Sequence, residues 1–203
     1  MATLYNRIQG RNPERLAALS DGIFAVAVTL LVLDLHLPNI EQVHSERELL
    51  YALCALGPQW IAYLMSFLTL GIFWAGQQTQ LNHIGEGSRD LTWIHLGFLF
   101  AITLMPLSTR LLAEFITYRA ALGVYWLNIF IPGVMLYWSW KYALRADLVK
   151  PETPPEVRAS ICKRVFIAQS LYAAGAALCV INIWGKHCGD CSGLVELRHR
   201  PRW

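Results

Sequence analysis

The chain alternates long apolar runs with short polar connections, and this pattern predicts helices that cross a membrane. A helix of ~20 predominantly apolar residues is long enough to cross the hydrocarbon core of a bilayer. We assign five such runs as membrane spans. They cover residues 16–36, 50–76, 91–115, 119–144 and 164–184. The fold class expected from this pattern is an all-α integral membrane protein.

The charges in the connections predict how the spans are oriented. The leader carries two arginines with Arg15 directly after it, residues 141–164 are strongly basic, and basic segments remain in the cytoplasm. The acidic connection 37–49 and the short link after Glu114 then lie outside, whereas the polar connection 77–90 lies inside. Because the link after Glu114 is so short, the third and fourth spans should form an antiparallel hairpin.

The two ends of the chain differ from the middle. We divide the chain into a cytoplasmic leader (1–14), a transmembrane domain (15–184) and a polar tail (185–203). The tail is basic although five spans would put it outside, so it either replaces a sixth helix or indicates the opposite orientation. The agreement among the four connections favours the stated orientation. Cys188 and Cys191 form a C-x-x-C without a second ligand pair, so no metal site is predicted.

Composition narrows the possible functions. The chain is 55% hydrophobic and 15% charged, whereas a soluble domain carries about 25% charged residues. The net charge of +3 is spread over loops, which argues against nucleic-acid binding. Nucleophile elbows, zinc-protease motifs and nucleotide-binding loops are absent from the sequence, so we predict neither an enzyme nor a cofactor.

The first span carries unusual polar groups at both ends. Arg15, Ser20 and Asp21 stand at its head and Asp34 near its tail. Ionisable groups in a span usually face a bundle interior or a water-filled path, although Ser20 and Asp21 also suit a simple helix start. The two carboxylates are ~20 Å apart along one helix, too far for a catalytic pair. Both readings of the head remain open from the residues alone.

An apolar stripe runs between these polar ends. Ile23, Ala27, Leu30 and Asp34 recur at helical spacing along one side of the first span. Such a stripe is usually an ordinary helix-packing surface. It is also typical of a hydrophobic constriction that gates by dewetting when several copies surround an axis. The pattern does not choose between the two.

One motif resembles a known family. Arg15-x-x-x-Leu19-Ser20-Asp21-Gly22 is similar to the R-x-x-x-F-S-D-G signature that opens the first helix of the transmembrane protein 175 family, with Leu19 in place of the usual Phe. This family comprises endosomal and lysosomal potassium channels and shorter bacterial relatives. The stretches "SFLTLGIFWAGQQTQLNHI" and "DLTWIHLGFLFAITLMPLSTRLLAEF" also resemble the second and third helices of the bacterial members.

The resemblance implies an architecture and a location. Family subunits have six transmembrane helices, and bacterial subunits form homotetramers whose first helices line a central pore. The implied location is a bacterial inner membrane with a cytoplasmic N-terminus. The implied partners are other copies of the chain, the lipid bilayer, and potassium and other monovalent cations.

The resemblance also implies roles for particular residues. Ile23 would form the narrowest ring of the pore, with Ala27 and Leu30 on the same face and Asp34 near the outer mouth. A second set would tie the first helix to its neighbours. Its members here are Arg15, Ser20, Asp21, Trp74 and Gln77. Gln77 and Gln78 stand where family members commonly have histidine, and glutamine does not titrate.

The function implied is a potassium-permeable cation channel that conducts passively. An ion-coupled secondary transporter is an alternative, because Pro106 and Pro132 are able to break the third and fourth helices. No internal repeat or mid-span acid supports it. A non-conducting membrane assembly protein is the third alternative, because such a protein needs only the pattern of apolar spans.

Overall fold

The computed structural model describes residues 13–33, 35 and 44–174, and almost all of them are helical. Helix α1 is Pro13–Leu33, α2 is Glu46–Ala55, α3 is Gly57–His83, α4 is Arg89–Thr103, α5 is Met105–Glu114 and α6 is Arg119–Arg145. A seventh helix, α7, occupies residues 155–174. Asp34, the tail 185–203 and the end of the fifth predicted span lie outside the described residues.

Within the described residues, four segments are long and apolar enough to cross a membrane. They are Pro13–Leu33, Gln59–His83, Arg89–Glu114 and Arg119–Arg145. The first, third and fourth predicted spans agree with these segments, and the predicted tight hairpin after Glu114 is confirmed, since α6 begins at Arg119. Helix α7 begins at residue 155, nine positions before the predicted 164.

The predicted second span was misplaced. Residues 50–55 belong to the short helix α2, which has a Ser45 N-cap and no buried residue. Pro58, in the first turn of α3, starts a new helix because its fixed φ suits that position. At the other end, residues 77–83 continue α3 instead of forming a loop. Gln77 and Gln80 are fully buried there and bond to other helices, which hydropathy alone does not reveal.

The third span is broken at Leu104, just before Pro106, where a hydrogen-bonded turn separates α4 from α5. Asn128 of α6 bridges this break. The groups around its side chain fix the orientation of the amide: Nδ2 donates to the Ala101 carbonyl at 3.1 Å, and Oδ1 accepts from the Met105 N–H at 3.2 Å. These two backbone groups would bond to each other in a continuous helix. The side-chain amide of Asn128 therefore replaces one backbone hydrogen bond of the helix.

Pro132, the other predicted breakpoint, lies inside an unbroken α6. The next residue, Gly133, receives the side chain of Gln169 from α7. A Cβ built on Gly133 would overlap the amide of Gln169. A larger residue at position 133 would therefore displace the Gln169 side chain at this crossing of α6 and α7.

The core of the bundle lies where α1, α3, α4 and α6 meet. Helix α1 packs against both α3 and α4. Phe98 of α4 is central, with ring centroids 6.1 Å from Phe24 of α1 and 6.1 Å from Phe73 of α3. Many large apolar side chains are exposed outside this core, while several amides and hydroxyls are buried within it. That inverted distribution is typical of a bundle surrounded by lipid.

Candidate functional site

The outer face of α1 is apolar, and no other helix in the described part of the chain packs on it. Leu19, Val26 and Leu30 are 45%, 58% and 43% exposed, although all three are large hydrophobic residues. Together with the half-buried Ile23 they line a shallow groove that Thr103 of α4 closes on one side. Among the described helices, none covers this surface.

The inner face of α1 is anchored in the bundle. Its buried residues follow one another at spacings of four, three and four positions. They are Ser20, Phe24, Ala27 and Leu31. This spacing places them on one side of a helix. Helix α1 is therefore held firmly by one side while the other side remains apolar and uncovered.

The predicted stripe falls on the boundary between these two faces. Ile23 is half-buried and Leu30 is exposed, so both border the groove. Ala27 also borders the groove, but it is only 2% exposed and belongs to the core of a single chain. At 100° per residue, the exposed face is centred near Val26, about 60° around the helix from Ile23. Asp34 lies outside the described residues.

A line of hydrogen-bonded polar side chains holds α1 to its neighbours near its Pro13 end. Ser20, Gln77, His95 and Ser139 come from four different helices and are all buried. Gln77 Nε2 donates to Ser20 Oγ at 2.9 Å and lies 3.2 Å from His95 Nδ1. His95 Nε2 lies 2.9 Å from Ser139 Oγ. The bonds connect α1 to α3, α4 and α6 in one line.

The directions of these bonds define the protonation of His95. Ser20 gives its own hydrogen to the Leu16 carbonyl at 2.8 Å, so its oxygen accepts from Gln77. The same amide nitrogen then donates to His95 Nδ1, which leaves Nε2 as the protonated ring nitrogen that donates to Ser139. His95 is thus a neutral residue that links α4 to α3 and α6.

A second contact lies on the adjacent side of α1. Trp74 Nε1 and Gln78 Nε2 both donate to Asp21 Oδ1, at 2.8 and 2.6 Å. The structure therefore brings Ser20 and Asp21 together with Gln77 and Trp74 of α3. Arg15 is exposed, and in the described part of the chain no bond joins it to this network.

Sequence reasoning missed three participants in this arrangement. His95 and Ser139 stand alone in apolar helices, and Gln78 was read as part of a loop. A detectable signal existed for two of them. Polar residues inside a membrane span are costly unless bonded, so His95 and Ser139 called for partners. Their pairing with Gln77 depends on how the helices pack, which the sequence pattern does not contain.

The fold and this site define a class: a polytopic α-helical membrane protein whose first helix is fastened by buried hydrogen bonds and exposes an apolar outer face. The family model described as endosomal/lysosomal potassium channel TMEM175 matches residues 15–106. A potassium channel of Chamaesiphon minutus is 31% identical over 176 residues, which cover 84% of this chain and 85% of that protein. The chain belongs to the TMEM175 family.

Other relatives match about half of the chain. A potassium channel of Streptomyces collinus is 35% identical over 102 residues, which cover 50% of this chain and 48% of that protein. The endosomal/lysosomal proton channel TMEM175 of Gallus gallus is 33% identical over 109 residues, only 21% of its length. The region that the family model matches, residues 15–106, contains nearly all of α1 and the whole of α2, α3 and α4.

A solved structure extends the similarity to the whole fold. The crystal structure of a lysosomal potassium-selective channel TMEM175 homolog from Chamaesiphon minutus superposes with a TM-score of 0.71 at 26% sequence identity. The match covers 85% of this chain and 88% of that one. The structural similarity therefore extends to the second half of the chain, for which the sequence analysis relied on hydropathy alone.

Proposed function

We propose that the chain forms a potassium-permeable cation channel that conducts passively, with the first helices of four copies surrounding one pore. The observation that carries the proposal is the outer face of α1. Leu19, Val26 and Leu30 are exposed on a helix whose buried side is packed in the bundle. Relatives named as potassium channels support the same reading.

Four copies of this face would form a hydrophobic constriction. Ile23, Val26 and Leu30 are the residues that we assign to the wall of the pore, and Ala27 supports it from behind. Such a ring excludes water until it widens, so it gates by dewetting. Because an apolar ring offers no carbonyl cage, we expect only modest selectivity for potassium over sodium. Asp34 keeps its proposed position at the outer mouth, where four carboxylates would concentrate cations.

The fastening network sets the tilt of the pore helix in this proposal. Ser20 and Asp21 each bond to α3, so a rotation of α1 breaks or exchanges these bonds. Arg15 lies on the exposed side of α1, where a neighbouring copy could supply its partner. We further propose a bacterial inner-membrane location with the Pro13 end of α1 in the cytoplasm, in line with the basic segments on that side.

A potassium-flux assay in liposomes tests the proposal. Val26→Asn places a polar group on the outer face, and Val32→Asn is the matched control. Both valines are exposed, at 58% and 47%, but they point in directions about 120° apart around the helix. We expect Val26→Asn and Ile23→Asn to raise flux about tenfold, equivalent to lowering the barrier by ~1.4 kcal/mol.

The control should conduct like the unmodified chain. Equal effects at positions 26 and 32 would refute the pore assignment, because flux would then rise whichever side of α1 carries the polar group. Absence of flux in every variant would favour the non-conducting assembly protein. A reversal potential close to the potassium Nernst value under biionic conditions would contradict the expected modest selectivity.

A further inference from the structure

A cleft separates α3 from α7, and residues of the two helices come together at each of its ends. At one end Thr69 Oγ1 bonds to Tyr172 OH at 3.0 Å. At the other end Leu81 and Ile161 belong to the same buried apolar cluster. The cleft between these contacts has a volume of about 390 Å³. The order of these residues along the two helices indicates that α3 and α7 run antiparallel.

Small residues create the cleft. Ala75 and Gly76 of α3 face Ala168 of α7 across it. A Cβ built on Gly76 would meet only a Leu136 methyl group, at 3.3 Å, so no side chain fills the space from this side. The rim is apolar and exposed, with Ile72, Ile167 and Leu171 at 53%, 47% and 69%. The cleft therefore opens to the surface that faces lipid.

The two ends of the cleft differ in polarity. Ile72 and Leu171 line the end near the Thr69 contact, whereas Thr79, Gln80 and Arg164 line the other. Gln80 is fully buried, and its Oε1 has no hydrogen-bond partner within the described residues. The Arg164 end is also the side where the basic connection predicts the cytoplasmic surface. An occupant with one apolar end fits the cleft if its other end carries a negative charge for Arg164 and a hydroxyl donor for Gln80 Oε1.

We propose that this cleft binds an anionic glycerophospholipid, with one acyl chain between α3 and α7 and the phosphate on Arg164. The distance along α3 from Thr69 to Leu81 is ~18 Å, close to the ~15 Å depth of one hydrocarbon leaflet. Anionic lipids collect at cytoplasmic surfaces, where basic side chains attract them. The proposal does not depend on whether the chain conducts ions.

Photolabelling tests the proposal directly. The full chain is reconstituted in phosphatidylcholine vesicles that contain phosphatidylglycerol with a photoreactive acyl chain, and labelled peptides are mapped by mass spectrometry. We expect the label to concentrate on α3 and α7. Ala168→Phe fills the cleft, while Ala173→Phe on the exposed side of α7 is its control. Arg164→Gln removes the phosphate contact, while Lys163→Gln removes an adjacent exposed charge.

Labelling of α3 and α7 should fall about fivefold in Ala168→Phe and in Arg164→Gln, and stay within about twofold in the two controls. Ala168→Leu replaces the Phe variant if that protein does not elute as a folded species. Labelling that is unaffected by Ala168→Phe would overturn the site. A loss with Ala168→Phe but none with Arg164→Gln would overturn the anionic head group. Labelling that rises when residues 185–203 are deleted would show that the chain's own tail occupies the cleft.

Discussion

Replacing Asn128 with leucine should destabilise the bundle, because this amide repairs the break between α4 and α5. Its side chain makes three hydrogen bonds, to the Ala101 carbonyl at 3.1 Å, the Met105 N–H at 3.2 Å and Ser108 Oγ at 2.9 Å. Three bonds at the ~0.6 kcal/mol average for membrane bundles amount to ~2 kcal/mol. Leaving the Met105 N–H unsatisfied adds ~1–3 kcal/mol. Better burial of the leucine side chain offsets part of this, so we expect a net loss of ~2–4 kcal/mol.

Thermal unfolding in detergent, followed by tryptophan fluorescence, measures this loss. A domain of this size loses about 2–4 °C of Tm for each kcal/mol, so the Tm of Asn128→Leu should fall by about 4–16 °C. Asn82→Leu is the control, because Asn82 is exposed near the end of α3, and its effect should stay within ~0.5 kcal/mol. If Asn128→Leu and Asn82→Leu melt together, the amide does not hold the break and the reasoning fails.

Two further changes probe the helix crossings. Gly133→Ala should lower the Tm, because its Cβ would overlap the Gln169 amide and displace that side chain. The double change with Gln169→Ala should restore much of the loss, and a Tm unchanged in Gly133→Ala would contradict the close approach. Trp74→Phe should have a small effect on its own, since Gln78 still donates to Asp21 at 2.6 Å. Combining it with Gln78→Leu should cost more than the sum of the single changes in the same assay, and strict additivity would show that the two donors do not share one role.

Only part of the polar network could be predicted from the sequence. The motif around Ser20 and Asp21 predicted that the head of the first helix would be tied to Trp74 and Gln77, and the structure brings these side chains together. The same reasoning did not connect His95 to them. A motif preserves contacts that a family shares, whereas the partner of an isolated histidine depends on which face of α4 turns inward.

The second span shows why boundaries were harder to predict than spans. Hydropathy ended it before Gln77, since glutamine is unfavourable in lipid. In the structure, residues 77–83 remain helical because the bundle, not lipid, surrounds Gln77 and Gln80. Polarity marks the end of a span only when the polar side chain faces the membrane.

By itself, the sequence determined that the chain is an α-helical membrane protein, that α5 and α6 form a tight hairpin, and that α1 carries the family motif. Length and apolarity decide these properties locally, residue by residue. Only the tertiary structure decided which side of α1 remains uncovered. Ile23, Ala27 and Leu30 look equivalent along a helix, but packing against Phe98 and its neighbours buries Ala27 and turns Val26 outward. The rotation of a helix about its own axis is set by its neighbours, because several apolar faces of α1 satisfy the same hydropathy.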